Sequence, residues 1–253
     1  MARANRAATW GPDSPAAKAG DQRWFGPSRF GLTVLALNPH DPLLADPDVR
    51  RAISLALDRT AISAMSGDAP TIDPLPPSMP GSPREATAVP PPDIAAAKAL
   101  MEGRTGTLVW ADCGQCASFS DAIRSNLAQI GITLDVRILT DDAGGPDDPK
   151  TEIDMVGWGL DPGYPVPVAA SAGLASNDWI GTADIAELER LGPIAGQARL
   201  DDAATLAQQL AAAGLVIPVG YATSVLYLGA DVGCGRFQPA IAAVDLLSLC
   251  RKP

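Results

Sequence analysis

Histidine is nearly missing from this chain, which has a single one, His40, in 253 residues. Histidine-dependent catalytic triads and multi-histidine metal sites therefore have almost no material to draw on. GxSxG, GxxxxGK[ST] and GxGxxG are missing as well, which removes support for a nucleophilic serine, a P-loop or a dinucleotide site. No apolar run approaches the roughly 18 residues that span a bilayer, so no transmembrane helix is expected. Positive charge is also short, with 19 Lys and Arg against 29 Asp and Glu and a net charge of −10. No basic run interleaves with aromatics, and nucleic acid is not expected as a partner. The opening MARANRAATWGPDSPAAKAG has Arg3 and Arg6 but no apolar core behind them. No secretory signal is expected in this chain, which implies either a cytosolic protein or a lost amino terminus.

What is present is a 47% hydrophobic composition on a chain long enough for one large domain or two small ones. Residues 1–29, rich in Ala, Gly, Pro and Arg, show no periodicity and are expected to form a poorly ordered arm. FGLTVLALN, from Phe30, has the near-continuous apolar character of a strand covered on both faces. A helix is expected next, with Asp46 as N-cap, Pro47 at its first position, and Val49, Ile53, Ala56, Leu57, Ala61 and Met65 along one stripe. Arg50, Arg51, Asp58 and Arg59 fall largely off that stripe, where they can form ion pairs or contact another element, and a solvated or ion-paired face is the favoured expectation.

Prolines crowd Ser66 to Pro92, so no regular element is expected there. Beyond it, DIAAAKALMEG predicts a helix closed at Gly103, TGTLVW a strand, SFSDAIRSNLAQIG a helix ending at Gly131, and ITLDVRIL a strand with Ile132, Leu134, Val136 and Ile138 on one face. TDDAGGPDDPK predicts a solvated turn without the spacing of a calcium loop. EIDMVGW predicts a strand, TADIAELERL and LDDAATLAQQLAAAG helices, and LVIPVG and SVLYLG two closing strands. Alternation of strands and helices points to an α/β fold with a largely parallel sheet.

Three constellations could carry chemistry. Cys113 and Cys116 form a CxxC between a strand and a helix, the layout of a thiol-disulfide oxidoreductase, though a local structural disulfide or two inert thiols fit the same residues. Cys234 and Cys250 make the second local pair, and an even cysteine set leans toward an oxidising compartment. The four cysteines lack a second CxxC or a nearby histidine, so zinc is not expected. Asp141 with Asp142 falls in a loop, and Asp201 with Asp202 at a helix start, where it meets the helix dipole favourably. In DMVGWGLDPGYPVP a strand ends at Trp158 and Asp161 opens a Gly- and Pro-rich loop. Ligands bind at such strand ends, and an indole beside a carboxylate suits a ligand with an apolar body and a cationic head; a core Trp with Asp161 capping a turn fits equally well.

Several segments, in order, resemble the family 5 extracellular solute-binding proteins, the dipeptide, oligopeptide and nickel receptors of ABC importers. LALNPHDPLLADPDVRRAISLALDRTAI is similar to that family's strand and VRxAxxxAxDR helix, PDIAAAKALM to its Asp-x-x-x-Ala-Lys-x-Leu helix, IRSNLAQIGITLDV to its helix-to-strand unit, EIDMVGWGLDPGYP to its WxxD segment, and GLVIPVGYATSVLYL to its late return strand. The resemblance runs from Phe30 to the carboxyl terminus. It implies a type II periplasmic-binding-protein-like carboxyl-terminal lobe over 30–228, with hinge crossings near LTVLALN and LVIPVG. Residues 229–253 would belong to the other lobe, whose amino-terminal bulk is largely absent and would be needed for full activity.

The family's function implies capture of a peptide or similar small solute by hinge closure and docking on ABC permease subunits, with no cofactor and no catalysis, in a periplasmic or extracellular setting at the membrane. By resemblance, Asp161 pairs with a ligand amino terminus and Trp158 lines the cleft. The tyrosine that usually follows that Asp is replaced by Pro162 and Gly163, with Tyr164 displaced, which leaves a non-peptide solute open. An extracytoplasmic setting also implies a Cys234–Cys250 disulfide. The alternatives are an oxidoreductase built on Cys113 and Cys116 and a truncated chain with no retained activity.

Overall fold

The computed structural model describes residues 22–66, 68–77, 82, 87–112, 117–138, 153–158, 179, 186–187, 189–190, 196–229, 231–238 and 243–252. Its spine is strand β1 (Gln22–Leu37), which alternates between two cores. Leu32, Val34 and Ala36 face one core, and Leu35 and Leu37 face the other, all essentially buried. Burial on both faces explains the near-continuous apolar sequence. The strand starts at Gln22, eight residues before the expected boundary at Phe30. Gly26 and Pro27, which argue against a strand, fall at a register shift of its ladder.

After β1 the chain turns through Asp41, whose Oδ1 accepts from the Leu43 and Leu44 amides at 2.9 Å each. Helix α1 (Pro47–Ala56) is capped as expected, with Asp46 Oδ1 accepting from Asp48 N at 2.8 Å. The expected single helix to Met65 is in fact two. Leu57 is extended and buried, and Asp58 starts α2 (Arg59–Ser66) by accepting from Ala61 N at 2.9 Å. The break takes Met65 off the core stripe and leaves it 47% exposed, with Ala61 also exposed. A short strand β2 (Ala69–Pro70) follows.

Helix α3 (Ile94–Met101) is capped by Asp93 and closes through Glu102 and Gly103, both at positive φ. Strand β3 (Gly106–Asp112), helix α4 (Ala117–Ala128), strand β4 (Ile132–Ile138) and strand β5 (Ile153–Trp158) follow in the expected order, with Gly131 at φ 86° ending the α4 turn. On β4, Ile132, Leu134 and Val136 share the expected apolar face. Helix α5 (Gln197–Ala212) begins three residues before the expected Leu200. LVIPVG and SVLYLG are one continuous strand, β6 (Val216–Gly229), rather than two, because β1 pairs with it along nearly its whole length. Most of TADIAELERL and all of the acidic loop at 140–150 lie outside the described residues.

One six-stranded sheet runs β2-β6-β1-β5-β3-β4. The expectation of a largely parallel sheet is corrected: β3 pairs in parallel with β4 and β5, but β1 is antiparallel to β5 and β6, and β2 to β6. On the β3–β4 side, helix α4 makes the strand-helix-strand crossover between two parallel neighbours. Helices α1 to α4 cover one face, with Ile53, Leu57, Met101, Leu108, Trp110 and Ile123 at its centre. Helix α5 covers the other, with Ala203, Leu206, Ala207 and Leu210 against Leu32, Val34 and Tyr221.

The end of the chain forms two small two-stranded antiparallel sheets, β7 (Val232–Gly233) with β10 (Cys250–Arg251) and, between them in sequence, β8 (Arg236–Gln238) with β9 (Ala243–Asp245). A disulfide joins Cys234 to Cys250, with Cα atoms 5.3 Å apart.

Candidate functional site

The segments LTVLALN and LVIPVG lie side by side in the sheet, with Leu35 opposite Ile217 and Ala36 opposite Val216. The antiparallel ribbon they begin continues through Ser28–Ser224 to Gln22–Gly229. Across this ribbon, four strands contribute one lateral row. Ala69 on β2 is opposite Tyr221 on β6, Tyr221 is opposite Leu32 on β1, and Leu32 is opposite Trp158, the last residue of β5. The backbone of Trp158 thus stands at a strand end directly against a crossing. Asp161, Tyr164, Cys113 and Cys116 lie outside the described residues.

Beside this row, polar side chains bind the chain after α2 to the crossings. Thr33 Oγ1 donates to Asp68 Oδ2 at 3.0 Å, and Ser63 Oγ donates to the Val219 carbonyl at 3.1 Å. Gly220 permits this approach, because a Cβ there would stand 2.5 Å from Ser63 Oγ. Buried Asp73 accepts from Thr87 N at 3.0 Å and Thr87 Oγ1 at 2.6 Å, and the Tyr221 hydroxyl lies 3.0 Å from the Leu75 carbonyl and 3.3 Å from Asp73 Oδ2. The proline-dense segment has only the short β2 ladder among its described residues, and side chains add the rest of its attachment to β6.

The arginines of α1 and α2 require a correction. Arg50 and Arg59, expected on a solvated or ion-paired face, are 8% and 6% exposed. Arg59 Nε donates to the Pro218 carbonyl at 2.8 Å, and its two terminal nitrogens donate to Ser54 O and Ser54 Oγ at 2.8 Å each. Arg50 Nε donates to the Ala213 carbonyl at 2.8 Å, and its Nη1 donates to the Leu44 and Ala45 carbonyls at 2.7 and 3.0 Å. Both guanidiniums cap backbone carbonyls on either side of the start of β6, so they fix where the second crossing departs. Desolvation pushes Arg59 down to about 10, and Arg50 is lowered by the same cause against the opposing charge of Asp46; Arg59 stays charged at neutral pH.

Equating charge with exposure hides these roles in the sequence. A usable signal existed: Arg50 stands three residues before Ile53 and seven before Leu57, on the edge of the apolar stripe. Arg51 remains exposed, and Asp58 caps α2. The Asp46 carboxylate also pairs with Arg104, whose other nitrogens donate to the Met101 and Leu100 carbonyls at 2.9 and 2.6 Å and so close α3.

A lobe of helices on a mixed sheet, entered and left by one antiparallel strand pair, defines the class of type II periplasmic binding proteins. Residues 6–182 match the family described as bacterial extracellular solute-binding proteins, family 5 Middle, and the chain belongs to that family. No curated protein matches it in sequence. Among solved structures, HbpA2 from Haemophilus parasuis aligns over 94% of this chain and 51% of its own, at 17% identity and a TM-score of 0.75. The periplasmic binding protein DppA from Helicobacter pylori, solved with the peptide STSA, aligns over 94% and 50%, at 17% identity and 0.72. NikA from Brucella suis, solved with Fe(III)-EDTA, aligns over 96% and 56%, at 17% identity and 0.74. These likenesses show a shared fold, and the chain spans about half the length of each relative. An architecture of this kind over nearly the whole chain does not favour the oxidoreductase alternative.

Proposed function

We propose that this chain forms the carboxyl-terminal lobe and hinge of the solute-binding component of an ABC importer, and that it takes a peptide or similar small solute by hinge closure. The antiparallel ribbon of β1 and β6 carries the reading. It begins inside the lobe at Ala36–Val216, clamped by Arg50 and Arg59, and extends past the row that ends at Trp158. A two-strand connection of this kind can bend while the helix-covered lobe moves as a unit. Closure on the solute selects the form that docks on the membrane permease, outside the cytoplasm. Binding needs no bond making and no cofactor.

In this reading Asp161 pairs with a cationic group of the solute, such as a peptide amino terminus, Trp158 supplies the apolar wall, and Tyr164 lies nearby. Residues 30–228 form the lobe, 229–253 belong to the opposite lobe, and that opposite lobe completes the cleft. The test is calorimetric titration of dipeptides into a protein carrying both lobes. Asp161→Asn is expected to weaken binding by about tenfold or more, in line with the roughly 1.5 to 3 kcal/mol of a charge-assisted hydrogen bond. Trp158→Ala is expected to weaken it through lost packing. Unchanged affinity in both variants overturns the assignment.

A further inference from the structure

A cavity is lined by none of the residues of the Trp158 row. It is a cleft of about 640 Å³ between α1, the carboxyl-terminal end of α5 and the first residues of β6. Its walls include Leu55, Ile72, Pro90, Pro91, Ile217 and Pro218, and none of the four residues of the lateral row lines it. Two cations do, Arg51 and Arg59. Arg59 is 6% exposed and uses three N–H bonds on Pro218 and Ser54, all to neutral acceptors. Arg51 is exposed on the outer side of α1. Among the described residues neither makes an ion pair.

A guanidinium out of water without a counter-anion is costly, and a planar cation of this kind favours a carboxylate. Asp48 and Asp93 also line the cleft; both are exposed, and the Asp93 carboxylate accepts from Ala96 N at 2.9 Å. Two exposed acids disfavour a polyanion such as citrate or a phosphate ester but tolerate one anionic head. We propose that this cleft is a binding site for an amphipathic monocarboxylate, with the apolar body against the proline and leucine walls and the head toward Arg51 and Arg59. The cleft abuts Val216 to Pro218, where β6 departs, so an occupant rests against the start of the second crossing.

Octanoate is the probe, with octanol and octylamine of the same chain length as charge controls, read by isothermal calorimetry and ligand-observed NMR on the chain as it stands. One-to-one saturable binding of octanoate is expected, with both controls about tenfold weaker or worse. Arg51→Gln, at an exposed site, is expected to weaken octanoate to a similar degree while leaving the thermal midpoint in place. Leu55→Trp, which fills the cleft, is expected to abolish binding, and Asp161→Asn to leave it unchanged. Absence of saturable binding, equal binding of octanol, an unaffected Arg51→Gln variant, or equal loss on Asp161→Asn each overturns the proposal. The last of these outcomes would relocate the ligand to the Trp158 row.

Discussion

The body of the lobe and the carboxyl-terminal segment hold themselves together by different means. In the body, two apolar cores sandwich the sheet, and even its cations are drawn inside, where Arg50 and Arg59 serve as caps for backbone carbonyls. Among the described side chains of 231–252, Leu246 and Leu247 point outward, 77% and 98% exposed. Closure there comes from the Cys234–Cys250 bond and from local hydrogen bonds such as Arg236 N to Ser248 Oγ at 2.9 Å. Where too little surface is buried to offset chain entropy, a covalent link takes over part of that task.

The largest expected effect breaks the body. Arg59→Met keeps the bulk but leaves the Pro218 and Ser54 carbonyls without a donor, and a loss on the order of 3 kcal/mol or more is expected in urea unfolding. A change below about 1 kcal/mol would show that the clamp is ornamental. Next in size, the double variant Cys234→Ser, Cys250→Ser is expected to lose up to about 3 kcal/mol by the chain-entropy estimate for a loop of this size. That loss should be confined to the carboxyl-terminal segment: hydrogen exchange should accelerate over 231–252 and leave α1 and β3 protected. Acceleration throughout would erase the contrast between the two regions.

The contrast also marks what was legible in the sequence. The order of elements along the chain followed from apolar runs and caps, because burial on both faces of β1 leaves a continuous signature, and the two crossings followed from the family-like segments. The cysteine pairing followed only through the extracytoplasmic setting that the resemblance implied. Illegible were features decided by partners distant in sequence. The break at Leu57 depends on Asp58, whose carboxylate caps α2 while its amide donates to Asn126 Oδ1 at 2.9 Å. The burial of Arg59 depends on Pro218, 159 residues away. The antiparallel half of the sheet depends on β6 returning beside β1. At the site, the backbone position of Trp158 is set by the β1–β5 register, a pairing between strands far apart in sequence.

Two smaller effects sharpen the same contrast. Gly220→Ala places a methyl group 2.5 Å from Ser63 Oγ and 3.1 Å from Asp68 Cβ, and about 1 to 3 kcal/mol of destabilisation is expected from that overpacking. The added Ser63→Ala change should recover part of it. The smallest effect is acid-dependent. The Asp46 carboxyl is held below its ordinary value of 3.8 chiefly by the Asp48 amide, with desolvation opposing it and Arg104 adding to it. Its contribution is therefore complete above that value and is lost as pH falls through the lower folded-state value. Asp46→Asn, which keeps a capping side chain, should flatten the thermal midpoint below about pH 4 and change little at pH 7.

The central claim is that the two crossings leave the lobe as one antiparallel ribbon, and Ser28 with Ser224 offers the most direct measurement. Their Cα atoms are ladder partners, and partners in an antiparallel pair stand about 4.5 to 5.5 Å apart, within disulfide reach. Under mild oxidation Ser28→Cys with Ser224→Cys is expected to cross-link nearly completely, as read by non-reducing peptide mapping. The displaced pair Ser28→Cys with Tyr227→Cys is expected to remain mostly unlinked. Equal yields from the two pairs, or no link at 28–224, would contradict the ribbon and with it the hinge.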